Sequence, residues 1–233
     1  MVNERLSALP RNERDAMIEQ CETVELSIGD ILAEPGRPVS HVYFPAGAIV
    51  SLLATVDDDT TLEVGIVGTD GMLGVSLALG VDAATLRAVV RASGTALRMD
   101  AQNFRRCLAN SEVMRTDLNH YTCVLLTQLA QTAVCTRFHL VEARLARWLL
   151  MIHDRSPDDH LELTHGLLAE MLGVRRSGIT TAAGILRQNK VIKYTRGDIT
   201  IIDRAALEQA SCECYRVVAE TAAQLLPPTD SGA

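Results

Sequence analysis

The hydrophobic pattern divides the chain into a short helical beginning, a β-rich middle and a helical second half. Residues 3–21 carry apolar positions at helical spacing, interrupted by Pro10. Over residues 24–99, short apolar runs alternate with turn residues, and the three aspartates at 57–59 are typical of a hairpin tip. Many short strands at this spacing predict a barrel or jelly roll.

A long helix is predicted after the β-rich region, because residues 111–136 contain neither proline nor glycine. Some of its positions alternate at spacings of three and four residues, which is typical of a coiled-coil seam. We expect this face to join two copies of the chain, since a helix of about 25 residues is longer than a small β-domain can cover. The alternative is a helix packed on its own domain, because two of the positions are polar. The seam consists of Met114, Leu118, Tyr121, Leu125, Gln128, Thr132 and Cys135.

The second half of the chain has the pattern of a helix-turn-helix. A helix over 139–153 contains Trp148, which we interpret as a core residue. After a loop at 156–160, Thr164 is a suitable N-cap for a short helix, and Gly173 supplies the left-handed residue at which that helix can end. A second helix is predicted over about 175–188. Its inner face would consist of Ile179, Ala182, Ala183 and Leu186.

A β-hairpin is predicted directly after the second helix, over residues 191–202. Two short apolar runs flank the turn residues Arg196, Gly197 and Asp198. A hairpin in this place is the wing of a winged helix. Lys193 and Arg196 lie where a wing would contact phosphates, which positions a protein on DNA without reading its sequence.

The helix-turn-helix segment differs in charge from the rest of the protein. The chain has a net charge of −7, whereas residues 163–204 carry seven basic and three acidic side chains, a net charge of +4. Arginines at a helix N-terminus are disfavoured by the helix dipole, so they need an anionic partner or a surface location. We favour contact with DNA over the alternative, a solvated helix face. A recognition helix enters the major groove, where arginine bonds guanine and hydroxyl groups bond bases or phosphates. The residues expected to contact DNA are Arg175, Arg176, Ser177, Thr180, Thr181, Arg187, Lys193 and Arg196.

Composition narrows the class of protein further. No apolar run approaches the roughly 20 residues that span a bilayer, and the N-terminus lacks the apolar core of a signal peptide. We therefore expect a cytoplasmic protein without a membrane partner. The six cysteines are scattered, and we expect no structural disulfides in a reducing compartment. Cys212 and Cys214 could supply half of a tetrahedral zinc site, but no matching pair lies nearby in the sequence. We favour ordinary thiols over redox or metal sensing.

The ordered combination of these parts resembles the CRP/FNR family of bacterial transcription regulators, over residues 28–203. The resemblance is carried by IGDILAEPGRPVSHVYFPAGAI in the β-rich region, the long helix, FHLVEARLARWLL and the winged helix. It implies a homodimer that binds a palindromic DNA site and contacts RNA polymerase if it activates transcription. It also implies an α+β fold with a β-roll or jelly-roll effector domain, a long dimerisation helix and a winged helix-turn-helix domain, over 1–110, 111–137 and 138–226. The tail at 227–233 is expected to be disordered from its composition.

The resemblance also gives residue roles, and here the chain departs from the cAMP-responsive members. The base-reading positions fall on Arg176, Ser177 and Thr181, of which only the arginine agrees, so the target sequence should differ. The effector-binding positions fall on Gly74, Val75 and Arg87. The ribose-binding carboxylate is absent, and the arginine is displaced by one residue, which turns it to the opposite face of a strand. We expect no cAMP response and predict no cofactor. The effector stays unidentified.

Two other classes of function compete with a DNA-binding regulator. One is a ligand-binding regulatory module that acts through protein–protein contacts, with the winged helix as its interaction domain. The other is a metal-dependent β-barrel enzyme, but the β-rich region offers only His41 among scattered acidic residues. We therefore expect a regulator rather than an enzyme.

Overall fold

The computed structural model describes residues 3–56, 60–155, 160–195 and 197–226, without the side chains of His160 and Glu162. The predicted hairpin tip at 57–59, the turn residue Arg196, most of the loop at 156–160 and the tail at 227–233 lie outside the described residues. Among the helices of the described ranges, none combines the length and the apolar character that crossing a membrane requires.

The chain forms two compact units. The first takes in the chain as far as Leu52, residues 66–126 and the chain from Thr221 onward. The second takes in residues 53–65 and 127–220.

Short antiparallel strands dominate the first unit, as the alternation of apolar runs and turn residues predicts. Two sheets have the strand orders β1-β7-β3 and β2-β6-β4-β5. β7 pairs antiparallel with both β1 and β3. The predicted β-roll is therefore confirmed. Its strands are β1 (Glu22–Leu26), β2 (Ile31–Ala33), β3 (His41–Pro45), β4 (Ile49–Thr55), β5 (Thr61–Val67), β6 (Arg87–Ala92) and β7 (Gly94–Asp100). Residues 53–55 of β4 and 61–65 of β5 belong to the second unit.

Helices complete the core of the first unit. α1 (Glu4–Ser7) and α2 (Arg11–Ile18) are separated at Pro10, as predicted. α3 (Ala101–Asn110) is capped by the Asp100 carboxylate, which accepts two backbone N–H groups. The apolar side chains of these helices pack with those of the strands around Phe44 and Phe104, and both rings are fully buried.

The long helix is present, but the face predicted to join two copies is buried in its own chain. α4 (Glu112–Phe138) closely matches the predicted range. Met114, Leu118 and Tyr121 lie in the core of the first unit, and Gln128 and Cys135 are also buried. These five positions of the predicted dimer seam are therefore already covered by the same chain, whereas Leu125 and Thr132 are half-buried, and the seam stays a prediction. A three-four repeat indicates which stripe of a helix is buried, and here other residues of the same chain bury it.

The second unit contains the predicted helix-turn-helix and its wing. The helices after α4 are α5 (Val141–His153), α6 (His165–Leu172), α7 (Arg176–Gln188), α8 (Arg204–Ala210) and α9 (Glu213–Leu225). α5 is almost entirely buried and packs against α7 and α8. Trp148 is a core residue, as predicted, and its indole N–H donates to the buried Glu63 carboxylate.

The wing has one strand more than the sequence predicts. β9 (Ile192–Thr195) and β10 (Asp198–Ile201) form the predicted hairpin. β8 (His160–Glu162) pairs with the other side of β10, so the strand order is β8-β10-β9. The sequence assigned His160 to a loop, because a three-residue strand is too short to show an alternating pattern.

Candidate nucleic-acid interface

The turn between α6 and α7 is built as the sequence predicts. The Thr164 hydroxyl caps α6 by accepting the Leu167 N–H at 3.2 Å. Gly173 ends α6 with φ 59° and ψ 43°, a left-handed conformation that glycine adopts without steric cost. The Val174 N–H then donates back to the Ala169 carbonyl at 2.9 Å. This sharp turn sets the direction in which α7 leaves.

α7 has one buried and one exposed face. Ile179, Ala182, Ala183 and Leu186 are buried, as predicted. Arg175 is the N-cap rather than the first helical residue, and its side chain caps no backbone N–H. Within the described part of the chain, no salt bridge engages Arg175, Arg176 or Arg187. The residues of this segment predicted to contact DNA are all exposed, namely Arg175, Arg176, Ser177, Thr180, Thr181 and Arg187.

Two of these exposed hydroxyls already have partners in the protein. Thr181 Oγ1 donates to the Ser177 carbonyl at 3.1 Å, which turns the hydroxyl back toward the helix. Thr180 Oγ1 donates to the Arg176 carbonyl at 3.1 Å and also lies 3.1 Å from His165 Nδ1. The rotamers of both threonines are therefore fixed before any ligand arrives.

His165, the first residue of α6, connects this surface to the wing, and the sequence analysis missed it. Its imidazole stacks on the Tyr194 ring with centroids 4.2 Å apart, and the Tyr194 hydroxyl accepts the Gly197 N–H at the wing turn. Burial, followed by the nearby Arg176 guanidinium, lowers the pKa of His165. A single histidine with no periodic partner gives no signal in a sequence, so only the fold identifies its role.

The end of α7 and the wing add further basic side chains. Lys190 follows α7 with φ 59°, in the left-handed region that residues with a side chain rarely adopt. Lys193 is exposed on β9, whereas the structure does not describe Arg196. Arg204 belongs to the same basic segment, but it forms salt bridges with Asp154 and Glu208. Its charge is therefore balanced within the protein.

The predicted effector residues do not come together. Gly74 and Val75 line a cavity of about 100 Å³ in the first unit, and among its described lining residues only His41 has an ionisable side chain. Arg87 lies outside this lining and pairs with Glu34, with Nε and Oε1 3.2 Å apart. Sites for drug-sized ligands usually measure about 300–1,000 Å³. The cavity is thus small and offers no guanidinium for a phosphate.

A cluster of three cysteines and one histidine forms in the second unit. Cys135 and His139 lie one turn apart at the end of α4, and Cys212 and Cys214 lie at the start of α9. Their ligand atoms all fall within 4.8 Å of one another. The expectation of ordinary thiols rested on the lack of a matching pair nearby in the sequence, and the fold supplies that pair from 77 residues away. We call these four residues the cysteine–histidine cluster.

The cysteine–histidine cluster has an unusual charge environment. Hydrogen bonding from the Cys135 thiol lowers the pKa of Cys212 to about 5, against the opposing effect of burial. The buried Arg147 interacts electrostatically with Cys135 and Cys214, and burial lowers the pKa of Arg144, countered in part by the sulfur of Cys135. The second unit thus gathers thiols and guanidinium groups in one buried place.

The fold and the exposed helix define the class of protein. A helix-turn-helix followed by a β-wing, in a chain that also carries a β-roll and a long helix, is a winged-helix architecture of DNA-binding proteins. Residues 143–210 match the family model of the Crp-like helix-turn-helix domain. This match confirms, for the DNA-binding domain, the resemblance to CRP/FNR transcription regulators.

Solved structures extend the resemblance to most of the chain at the level of the fold. FixK2 from Bradyrhizobium japonicum has a TM-score of 0.71 at 12% identity, over 82% of this chain and 98% of its own. A putative crp/fnr-family regulator from Eubacterium rectale has a TM-score of 0.65 at 16% identity, over 87% and 94%. CLP, a c-di-GMP responsive global regulator from Xanthomonas campestris, has a TM-score of 0.61 at 15% identity, over 82% and 99%. A comparison of the sequence with curated proteins finds no match.

Proposed function

We propose that the protein is a sequence-specific transcription regulator of the CRP/FNR type, acting in the cytoplasm, whose helix α7 reads DNA in the major groove. The observation that carries this proposal is the exposed face of α7, where Arg176, Ser177 and Thr181 stand above a fully buried apolar face. An exposed, basic helix start that follows a tight turn is the geometry with which a recognition helix meets base edges.

The residues of this face take different roles in the proposal. Arg176 reads a base, because its guanidinium can bond guanine O6 and N7 together. Arg175 contacts a phosphate, since as the N-cap it lies beside the unpaired N–H groups of the helix start, which favour an anion. Arg187, Lys193 and Arg196 add sequence-independent phosphate contacts. Thr180 acts mainly in positioning, because His165 already engages its hydroxyl.

The regulator acts as a homodimer, but through a face of α4 other than the one the repeat predicted. At 100° per residue, the side of α4 opposite its buried stripe carries Cys123, Leu126, Ala130 and Val134. All four are exposed, Leu126 to 60% and Val134 to 41%. Exposed apolar side chains along a helix of 27 residues favour a second copy of the same helix as partner. A two-fold dimer requires a palindromic operator with half-sites about one helical turn apart.

The β-roll does not respond to cAMP in this proposal. The cavity that Gly74 and Val75 line measures about 100 Å³, and Arg87 is held by Glu34 outside it. A cyclic phosphate placed there would be buried without a charge partner, which is strongly unfavourable. Calorimetry that detects micromolar cAMP binding would overturn this part of the proposal.

Footprinting of the purified protein across genomic DNA tests the central proposal. We expect protected palindromes with half-sites about 10–11 base pairs apart. In gel shifts on such a site, Arg176→Ala should lose about 1–3 kcal/mol of discrimination at one base pair. Arg216→Ala, which removes an exposed arginine on α9, is the matched control and should bind normally. Specific binding unchanged by Arg176→Ala would contradict the assigned role. Binding to a protein partner, with no affinity for DNA and no salt dependence, would favour the regulatory-module alternative.

The dimer is tested separately. Sedimentation of the wild-type chain should give twice the monomer mass, and Leu126→Glu should shift it toward monomer. Ile28→Glu is the control, because Ile28 is also an exposed apolar residue, at 54%, but belongs to the connection between β1 and β2. If Leu126→Glu leaves the dimer intact, this face of α4 is not the interface.

A further inference from the structure

The cysteine–histidine cluster places four metal-ligating atoms around one point. The sulfurs of Cys135 and Cys212 are 3.5 Å apart, and the Cys214 sulfur is 3.6 Å from His139 Nδ1. Zinc–sulfur bonds of about 2.3 Å in a tetrahedron place neighbouring sulfurs about 3.8 Å apart. The observed separations, all within 4.8 Å, therefore need shifts of about 1 Å or less to enclose one ion. Packing of the three thiols as small apolar side chains would not explain why an imidazole nitrogen faces them.

The surroundings of His139 have the arrangement of a metal ligand. Its Nδ1 faces the sulfurs, while its Nε2 lies 3.2 Å from a carboxylate oxygen of Glu213. A carboxylate on the second nitrogen fixes the tautomer in which the first nitrogen carries a lone pair, and this is how histidine ligands are usually oriented. Glu213 lies between the two cysteines in sequence, so one short segment supplies two ligands and the orienting group.

Two buried arginines could balance the negative charge of such a metal site. Three thiolates around a divalent ion leave one net negative charge. Arg144 and Arg147 are both more than nine-tenths buried, and neither forms a salt bridge with a carboxylate of the described residues. Buried arginines need an anionic counterpart, and the net negative charge of a three-thiolate metal site would supply one.

We propose that Cys135, His139, Cys212 and Cys214 bind one tetrahedral Zn²⁺ ion per chain, as a structural site that ties the end of α4 to the start of α9. Thiolate and imidazole ligands in a tetrahedron select zinc among the common divalent ions. Four protein ligands leave no coordination position for a substrate, which distinguishes a structural site from a catalytic one. The site closes a loop of 77 residues that contains the whole helix-turn-helix, so metal binding should contribute to the stability of the second unit.

Metal content is the first test. Untagged protein, saturated with Zn²⁺ under reducing conditions and then desalted, should retain about one zinc per chain by mass spectrometry. Cys212→Ser and Cys135→Ser should lose it. Cys123→Ser should keep it, because Cys123 is exposed on α4 outside the cysteine–histidine cluster. Retention of no zinc by the wild-type chain, or an equal loss in Cys123→Ser, would overturn the proposal.

Cobalt substitution tests the geometry in the wild-type fold, so it does not depend on variants that could unfold. Co²⁺ added to the metal-free protein should produce the strong visible bands of tetrahedral cobalt and a near-ultraviolet thiolate-to-metal band. In His139→Cys, which keeps four ligands, the thiolate band should gain intensity. The weak spectrum of six-coordinate cobalt, or a Cys135–Cys212 disulfide found instead of bound metal, would refute the proposal.

Chelation tests the structural role. Removal of the ion should lower the midpoint of the Trp148 fluorescence transition by about 10 °C or more, and added Zn²⁺ should restore it. Because Trp148 is buried in the second unit, its emission reports on the unit that the metal would stabilise. A midpoint that does not change on chelation would show that the ion has no structural role.

Discussion

Substitution of Gly173 by alanine should lower the free energy of unfolding, whereas the same substitution at another glycine of the helix-turn-helix should raise it. At Gly173, alanine would have to adopt φ 59°, which costs residues with a Cβ about 1–2 kcal/mol. The added Cβ would also lie 2.9 Å from Leu62 Cδ1, so that side chain must move. Against this, alanine reduces the entropy of the unfolded chain, which contributes about 0.4–1 kcal/mol in its favour. The net effect of Gly173→Ala should be a loss of about 1 kcal/mol.

Gly184 is the matched control for this substitution. It lies inside α7, its φ is not in the left-handed region, and an added Cβ would meet nothing within 4 Å. Alanine there should stabilise the protein by about 0.5–1 kcal/mol, because glycine is unfavourable inside a helix. The same chemical change should therefore separate the two variants by roughly 2 kcal/mol.

Urea unfolding followed by Trp148 fluorescence measures the difference. Trp148 is the one tryptophan of the chain and lies in the same unit as both glycines. The comparison requires that the unfolding free energy falls with urea concentration at the same slope in both variants. A changed slope would indicate a different unfolded state or an intermediate. A Gly173→Ala protein as stable as Gly184→Ala would refute the left-handed turn as the element that directs α7.

Three further substitutions test other parts of the structure. Lys190→Gly should raise the unfolding free energy by up to about 1 kcal/mol in urea unfolding, because Lys190 holds φ 59°; an unchanged midpoint would contradict this. Arg5→Met should cost about 3–5 kcal/mol in thermal unfolding, because it leaves the buried Asp117 carboxylate, 2.8 Å from Arg5, without its partner. Adding Asp117→Leu should recover much of the loss, and failure to recover would point to lost packing instead. Because burial and Arg176 hold the pKa of His165 below its ordinary 6.5, the unfolded chain takes up that proton first as the pH falls. Wild-type stability should therefore fall relative to His165→Gln as the pH drops through about 6.5, and parallel pH profiles would contradict it.

Local signals in the sequence predict local structure well in this chain. Thr164 and Gly173 mark the ends of α6 because capping and left-handed turns depend on few neighbouring residues. The buried face of α7 follows from its spacing alone. β8 escaped prediction because its partner strand lies more than 35 residues further along the chain, and three residues give no period of their own.

The long helix shows how one sequence pattern is compatible with two kinds of burial. The three-four repeat in α4 does mark a buried stripe, and the structure buries Met114, Leu118 and Tyr121 on it. A repeat cannot distinguish a second copy of the helix from a β-roll of the same chain, because both remove the same apolar surface from water. The length of the helix favours a dimer, but length alone does not determine which of its faces stays exposed.

The ligands of the cysteine–histidine cluster come from two distant parts of the sequence, and neither part predicts a metal site by itself. The sequence pattern assigns Cys135 and His139 to separate helices, whereas in the structure the His139 N–H donates to the Cys135 carbonyl, so the two ligands lie one turn apart at the end of α4. Cys212 and Cys214 flank the glutamate that orients the histidine. Each pair alone is weak, and together they complete the ligand set of a closed zinc site. The fold, and not the spacing along the chain, therefore determines which two pairs of ligands meet in one site.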